Sequence, residues 1–110
     1  MVTVNADRNP SYRSNSGEST KDKVFLLSIT EVYQYFDSDS DRQCKRTDYA
    51  FARGVTRYDE GYTWWWLRTP GMYQNNASGV FPTGAVSESG DYVDYTHDSV
   101  RPAMWITLDG

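Results

Sequence analysis

The stretch that decides the fold of this chain is YTWWWLRTPG at residues 62–71. Tryptophan and tyrosine favour the pleated, half-buried surface of a sheet, so the first six residues of the stretch predict a strand. Successive side chains of a strand point to opposite faces. Trp64 and Trp66 therefore share one face, whereas Trp65 and Leu67 share the other. Large apolar side chains on both faces predict that both faces of the strand are covered.

A turn and a series of short strands are predicted after this stretch. The residues at 69–71, Thr-Pro-Gly, are typical of a turn. Between 72 and 98, short β-like pieces alternate with glycine, serine, asparagine and aspartate, which predicts a meander of short strands with long connections. The segment 100–108 predicts a closing strand, and Pro102 restricts its start to an edge because proline donates no ladder hydrogen bond.

A strand followed by a helix is predicted upstream. Residues 24–27 form a short apolar run and predict a buried strand. Ser28 and Glu31 then have the spacing of a capping box, in which each residue satisfies the other's backbone N–H. A helix is therefore expected to begin here and to end near Phe36.

A second short helix is expected at residues 48–53, with Thr47 as its N-cap and Gly54 as its stop. A length of 110 residues predicts a single domain. We expect an α+β fold with two short helices and a small, mostly antiparallel sheet with long loops. The polar residues 1–22 are expected to form an N-terminal segment, and the domain to span 23–110.

Five residues are assigned to the structural core. Trp65, Trp66 and Trp105 are expected inside it, because each buried aromatic side chain removes roughly 150–250 Å² from water. Arg68 and Arg101 lie within apolar, aromatic stretches, where a guanidinium needs carboxylates, carbonyls or an aromatic face. We expect both arginines to tie their segments to neighbouring loops rather than to contact a ligand.

The charge of the chain argues against several classes of partner. The formal net charge is −4 and the isoelectric point is about 4.8. An acidic chain lacks the basic footprint of nucleic-acid binding and is not attracted to an anionic membrane surface. No apolar run approaches the roughly 20 residues of a membrane span, and residues 1–20 lack the apolar region of a signal peptide. We expect neither nucleic-acid binding nor direct membrane insertion, and the sequence sets no oligomeric state.

Residues that commonly carry catalysis are scarce. His97 is the single histidine and Cys44 the single cysteine. The sequence has no nucleophile elbow, no phosphate-binding glycine loop and no zinc-binding pattern. We therefore expect a protein that is not an enzyme and uses no cofactor. A nucleophilic pair of Cys44 and His97 is the open alternative, because separation along the chain does not set distance in the fold.

The acidic run DSDSD at 37–41 has the spacing of calcium ligands. Together with Asp48 it reproduces the first, third, fifth and twelfth positions of an EF-hand loop. The sixth position, normally glycine, is Arg42, and the last ligand, normally glutamate, is an aspartate. We therefore expect a solvated connection between helices and no metal site.

Residues 72–98 have the composition of a binding surface. Seventeen of these 27 residues are Tyr, Ser, Gly, Asn, Asp, Thr or His. Tyrosine supplies rigid amphipathic contact area, and serine, glycine and asparagine supply adaptable hydrogen bonds. An ordinary sheet surface with turns shares several of these residues and stays an alternative. Strand alternation at 92–94 places Val93 inward. The candidate ligand contacts, expected to point outward, are Tyr73, Asn75, Asn76, Tyr92, Asp94, Tyr95, His97 and Asp98.

Several motifs resemble one family of bacterial domains. The segments concerned are TKDKVFLLS at 20–28, YF at 35–36 with Arg42, TDYA at 47–50, WWLRTPG at 65–71 and VRPA at 100–103. They are similar to the DUF6273 family, uncharacterised domains in which a WWLRSPG segment is followed by a terminal GVRPA segment. Here Thr69 replaces the usual serine and Ser99 replaces the usual glycine.

The resemblance implies a relation to C-type-lectin-like and sulfatase-modifying-factor-like folds, in which a compact α+β frame displays a variable surface. Some proteins of this general fold are the variable targets of diversity-generating retroelements, and the corresponding interval here is 72–98. The resemblance implies no catalytic residues. Because such domains usually have an upstream half, the chain is expected to be a truncated domain, a minimal version or a piece of a longer reading frame.

Composition and resemblance together predict a non-catalytic recognition module that binds a protein or glycan on a cell surface through residues 72–98. We expect it to be displayed on a bacterial or phage surface as part of a larger protein. The alternative is a structural or interaction domain within a larger bacterial or phage protein, without a variable surface.

Overall fold

The computed structural model describes residues 2–55, 61–95 and 97–106, and these residues form an α+β fold. Short helices and small antiparallel sheets make up its regular structure, as expected. Three helices are present in this part of the chain instead of two, because the acidic run also forms one helical turn. The elements in chain order are β1 Val2–Val4, β2 Thr20–Asp22, α1 Ile29–Tyr35, α2 Asp39–Arg42, β3 Cys44–Lys45, α3 Asp48–Ala52, β4 Tyr62–Thr63, β5 Trp65–Pro70, β6 Asn76–Val80 and β7 Val86–Tyr92.

Antiparallel pairing builds three small sheets in the described residues. β1 pairs with β2, β3 pairs with β4, and β5, β6 and β7 follow one another as a three-stranded meander. Trp65 lies opposite Val80, and Gly79 lies opposite both Trp66 and Ser87. Residues directly opposite each other share a face. We call the face with Trp65 and Val80 the inner face, and the face with Trp66, Gly79 and Ser87 the outer face.

Helix α1 covers the inner face of the meander. Ile29 and Val32 pack in one core cluster with Trp65, Leu67 and Val80. All five side chains are almost completely buried. Each of the aliphatic ones contributes roughly 1.5–3 kcal/mol through burial. The inner face is therefore the part of the sheet that holds the fold together.

Local capping sets the ends of the helices as the sequence predicts. The Ser28 hydroxyl accepts the backbone N–H of Glu31 at 3.1 Å, and the Glu31 carboxylate accepts the N–H of Ser28 at 2.9 Å. The capping box is thus confirmed. The Thr47 hydroxyl accepts the N–H of Ala50 at 3.0 Å at the start of α3. Gly54 follows that helix with a φ of 100°, a left-handed conformation that suits glycine.

Aromatic rings cover part of the outer face. The ring of Trp64 packs edge-on against those of Trp66 and Phe81, with centroid distances of 6.0 and 5.1 Å. It also lies over Gly79, where an added Cβ would stand 2.3 Å from Cζ2 of Trp64. The prediction that both faces of the tryptophan strand are covered is confirmed. Trp66, however, is only partly buried and lies outside the core cluster.

Polar side chains join the N-terminal residues to the meander. Asn9 is buried, and its side-chain amide donates to the carbonyls of Pro70 and Glu88 at 2.7 and 2.6 Å. The buried hydroxyl of Ser14 donates to the carbonyl of Gly71 at 2.7 Å. Pro70 and Gly71 lie at the end of β5, and Glu88 lies where the ladder between β6 and β7 shifts register. The polar residues 2–22 therefore belong to the same folded unit as the sheet.

The segments predicted as strands at 24–27 and 100–108 form only a single β-bridge with each other. Phe25 and Ala103 exchange backbone hydrogen bonds of 2.9 and 2.7 Å, and no ladder extends from that pair. The prediction of a buried strand at 24–27 is therefore wrong. The closing segment likewise forms no strand within residues 100–106, because it meets its neighbour at one residue only. The rest of its predicted span, 107–108, lies outside the described residues.

The turn after β5 comes later in the chain than the sequence predicts. β5 continues through Pro70, and the backbone N–H of Gly71 still donates to the carbonyl of Asn76 at 2.9 Å. The chain reverses only afterwards, where the N–H of Asn76 donates to the carbonyl of Tyr73 at 3.0 Å. Pairing with β6 thus extends the strand across the expected turn.

The prediction that Trp105 belongs to the core is wrong. Its side chain is 58% exposed. Its ring rests edge-on against Tyr35, with centroids 6.0 Å apart. Because the closing segment does not enter a sheet, nothing inserts this tryptophan between packed layers.

Candidate functional site

An open cleft of about 620 Å³ lies on the outer face of the meander. One wall is aromatic and the other is polar, with two carboxylates from the end of β7 and the segment after it. The residues that carry this chemistry are Trp64, Phe81, Ser87, Ser89, Asp91, Tyr95 and Asp98.

Strand β7 supplies the polar wall. Ser87, Ser89 and Asp91 all line the cleft, although the ladder between β6 and β7 shifts register along this stretch. Gly90 between them has a φ of 76°, and an added Cβ would stand 2.0 Å from the carbonyl oxygen of Ala77. Glycine is therefore required for β7 to approach β6 this closely and present the following carboxylate to the cleft.

Asp91 and Asp98 form a carboxyl pair in this cleft. Burial, a hydrogen bond to Asp91 and the negative charge of Asp91 together raise the pKa of Asp98 to about 7. Two neighbouring carboxylates cannot both ionise freely, and the protonated one donates to the other. The Oδ2 atom of Asp98 is buried and has no hydrogen-bond partner among the described residues. The pair therefore retains an acceptor that no described residue satisfies.

The aromatic wall contains a polar atom without a partner. Trp64 is only 6% exposed, and its indole N–H has no acceptor within the described part of the chain. A buried donor without an acceptor costs free energy, typically about 1–3 kcal/mol. The cleft thus combines an unpaired donor on one wall with acceptors on the other.

Two of the predicted contact residues near the end of β7 contribute to the wall of this cleft. Tyr95 and Asp98 line it. The rings of Tyr95 and His97 meet at 5.2 Å, and Nδ1 of His97 lies 2.8 Å from the carbonyl oxygen of Gly54. Tyr92 and Asp94 are exposed, as expected. The accompanying prediction that Val93 points inward is wrong, because β7 ends at Tyr92 and the valine is 60% exposed in the turn that follows.

The predicted contact residues before β6 lie at the end of the sheet where β7 finishes. Tyr73 and Asn75 are exposed, and the carbonyl of Asn75 accepts the N–H of Val93 at 3.0 Å. Asn76 lies opposite Tyr92 in the ladder, but its side chain is only 9% exposed. The prediction that Asn76 points outward is therefore wrong, since this residue begins β6 and packs beneath Gly71.

Cys44 and His97 have separate partners. The thiol of Cys44 lies 3.7 Å from the carbonyl oxygen of Lys45, whereas His97 contacts the carbonyl of Gly54. No hydrogen bond joins the two side chains in the described residues. The geometry lends no support to a nucleophilic pair.

The acidic run is organised around a buried arginine. Its second half forms α2, and the guanidinium of Arg42 pairs with Asp39 and donates to the carbonyl of Gly84 at 2.9 Å. No group of three or more histidine, cysteine, aspartate or glutamate side chains converges on a metal-sized space in the described ranges. Arg42 thus joins the run to the β6–β7 turn.

Arg68 and Arg101 contact the frame and do not line the cleft. The guanidinium of Arg68 forms an ion pair with Glu31 and donates to the carbonyl of Leu26 at 2.9 Å. The guanidinium of Arg101 lies 4.9 Å from the ring centroid of Trp65 and also faces Phe36. Both side chains have the environment that the sequence predicts for structural arginines.

Residues 1–108 match one protein family, described as a domain of unknown function, DUF6273. The chain belongs to the DUF6273 family. The match includes the polar N-terminal residues that pack against the meander. No curated protein and no solved structure matches this DUF6273 domain. Among its described residues, no helix is both long enough and apolar enough to cross a membrane.

Proposed function

We propose that this DUF6273 domain is a non-catalytic recognition module that binds a protein or glycan through the surface of residues 72–98. The cleft on the outer face carries the proposal. Tyr95 and Asp98 contribute to its wall, and Tyr73 and Tyr92 lie exposed at the end of the same sheet. Exposed tyrosines and paired carboxylates supply the contact area and hydrogen bonds that recognition requires.

Separate residues form the frame and the proposed surface. The inner face and α1 carry the core, whereas the exposed members of 72–98 make few contacts that the frame needs. The relation that the resemblance implies, to C-type-lectin-like proteins and to variable proteins of diversity-generating retroelements, supports the same division. We extend the proposal to a C-type-lectin-like fold, displayed on a bacterial or phage surface as part of a larger protein.

A second candidate function is a structural or interaction domain within a larger bacterial or phage protein. It is favoured by an apolar cleft of about 200 Å³ between α1 and the closing segment. Leu27 and Tyr35 line it, and Met104 and Trp105 beside them are exposed. An exposed apolar cleft of this kind suits packing against another protein surface.

The test of the proposed function is a small library with substitutions confined to exposed positions. Folding is scored by thermal unfolding, and binding is scored on a glycan array and a peptide display library. We expect most members to fold and to differ from the parent in what they bind. If most members fail to fold, the segment is framework and the second candidate is favoured. The positions are Tyr73, Asn75, Tyr92, Asp94, Tyr95 and His97.

A further inference from the structure

We propose that the cleft on the outer face binds the cationic side chain of a lysine or arginine presented by a peptide segment of a protein partner. This inference rests on the proposed recognition function and narrows its ligand to a protein with a basic side chain. The ammonium or guanidinium would lie between the carboxylates of Asp91 and Asp98.

The charge of the carboxyl pair favours a cation over a neutral group. Asp91 and Asp98 repel each other when both are ionised, and at neutral pH a proton relieves that repulsion. A bound cation would take over this role and would also supply several N–H donors to the two carboxylates. The hydroxyl of a sugar donates one hydrogen bond but brings no charge.

The ion-paired cations of the described residues lie away from the cleft. Both salt bridges among these residues lie outside the cleft, between Arg42 and Asp39 and between Arg68 and Glu31. Arg101 faces the rings of the core. No lysine or arginine in the described ranges forms a salt bridge with either carboxylate of the cleft. Within the described ranges, a cation from outside therefore meets no ion-paired competitor at these two carboxylates.

The remaining walls suit a basic side chain on a peptide. Tyr95 is 47% exposed and Phe81 is also exposed, and aromatic faces attract ammonium and guanidinium groups. The indole N–H of Trp64 needs an acceptor, which a main-chain carbonyl of the partner provides and a free metal ion does not. The net charge of −4 further draws basic partners toward the domain.

The groups around the pair set a definite pH dependence. Trp64, Phe81 and Pro82 add no charge. Among the described residues that line the cleft, the titratable groups are the two carboxyls and Tyr95, whose ring meets that of His97 edge-on. Cation binding displaces the proton that Asp98 holds. Affinity for the cation should therefore rise as pH increases through about 7. Binding of a neutral polyol that needs no proton release would not rise in this way.

The experiment is an NMR titration of the whole chain with two blocked tripeptides. One is acetyl-Gly-Arg-Gly-amide, and the matched neutral control has citrulline in place of arginine. We expect the arginine peptide to shift the resonances of Asp91 and Tyr95, and to bind about tenfold more tightly than the citrulline peptide. Raising the pH from about 6 to about 8 should strengthen binding of the arginine peptide only.

Variants that replace one carboxylate by a neutral amide locate the site. Asp98→Asn and Asp91→Asn should each weaken binding about tenfold, since each removes one charged partner of the cation. Glu18→Gln changes the net charge equally but alters an exposed residue outside the cleft and outside residues 72–98, and should leave binding unchanged. Thermal unfolding of each variant verifies folding, and the pH series on the unaltered chain tests the inference independently of any variant.

Three outcomes would overturn the inference. The first is equal binding of the charged and neutral peptides. The second is no binding of the arginine peptide at millimolar concentration. The third combines two results. Maltotriose or calcium chloride binds, and Asp91→Asn and Asp98→Asn abolish that binding, whereas the arginine peptide does not bind in the cleft. Binding of maltotriose would overturn this inference but not the proposed recognition function. Only the library test can overturn that function.

Discussion

The hydroxyl of Thr69 donates a hydrogen bond of 2.7 Å to the carboxylate of Asp7. The same hydroxyl accepts the backbone N–H of Ile29 at 2.9 Å, at the first turn of α1. Asp7 in turn accepts from the hydroxyl of Thr30 at 2.7 Å. One threonine of β5 thus joins the N-terminal residues, the helix start and the sheet.

Removal of that hydroxyl should destabilise the domain. Thr69→Val keeps the shape of the side chain but leaves the N–H of Ile29 and the carboxylate of Asp7 without a partner. We expect a loss of about 1–3 kcal/mol in the free energy of unfolding, measured in urea. Thr69→Ser serves as the matched control and should cost about 1 kcal/mol or less. Equal losses in the two variants would show that the methyl group and not the hydroxyl matters.

The carboxyl of Asp7 should make stability depend on pH in the acid range. Burial acts to raise its pKa, but hydrogen bonds from Thr69 and Thr30 and the charge of Arg68 outweigh burial and lower the pKa below 3.8. The stabilisation is therefore present above that ordinary value and is lost as pH falls through the folded-state pKa. Asp7→Asn should be less stable than the parent at neutral pH, and the two should converge in acid. Urea unfolding across a pH series measures this, and a constant difference at every pH would contradict it.

Asp98 should give the opposite dependence. Burial and the neighbouring Asp91 raise its pKa from 3.8 to about 7, so the folded state holds a proton that the unfolded chain releases. Stability should therefore decrease as pH rises from 3.8 to about 7. Asp98→Asn should remove this decrease, whereas Asp94→Asn should retain it. Thermal unfolding between these pH values is the measurement, and parallel profiles for the parent and Asp98→Asn would refute the assignment.

Two tryptophans should differ sharply in their contribution to stability. Trp65 is completely buried, and Trp65→Ala should cost about 3–5 kcal/mol or prevent folding. Trp105 is largely exposed and contacts Tyr35 at its edge, so Trp105→Ala should cost about 1 kcal/mol or less. Urea unfolding of the two variants decides whether the closing segment is part of the core. A loss for Trp105→Ala as large as that for Trp65→Ala would place it there.

Calcium should not stabilise this domain. Arg42 occupies the loop position that calcium sites normally give to glycine, and its guanidinium pairs with Asp39, one of the required ligands. We expect the melting temperature in millimolar calcium chloride to equal that in magnesium chloride or chelator. A rise of several degrees that disappears in Asp39→Asn would reverse this conclusion.

Features that depend on near neighbours were predictable from the sequence. The capping box of Ser28 and Glu31 and the cap of α3 at Thr47 each need residues only three positions apart. The alternation of tryptophans along β5 likewise follows from strand geometry alone, so the sequence predicted that both faces are covered. The exposure of Tyr92 and Tyr95 was also correctly expected, although the alternation that placed Val93 inward fails because β7 ends at Tyr92.

The cleft could be predicted only in part, because contacts between distant residues decide it. Tyr95 and Asp98 were candidates, but nothing local indicated that Asp91 would lie beside Asp98 or that Trp64 would form the opposite wall. The one available signal was Gly90, whose left-handed conformation brings β7 against β6 and presents the carboxylate.

Sequence by itself determined the class of this protein: its helix ends, its tryptophan strand and its membership of the DUF6273 family all follow from short-range patterns. Tertiary structure alone decided which apolar residues are buried and which polar residues meet. Phe25 and Ala103 share only one bridge, so Trp105 stays exposed, and Asn9 is buried because distant carbonyls of β5 and β7 need its amide. The physical reason is that burial and pairing depend on what the rest of the chain brings alongside a residue, which its immediate neighbours do not specify.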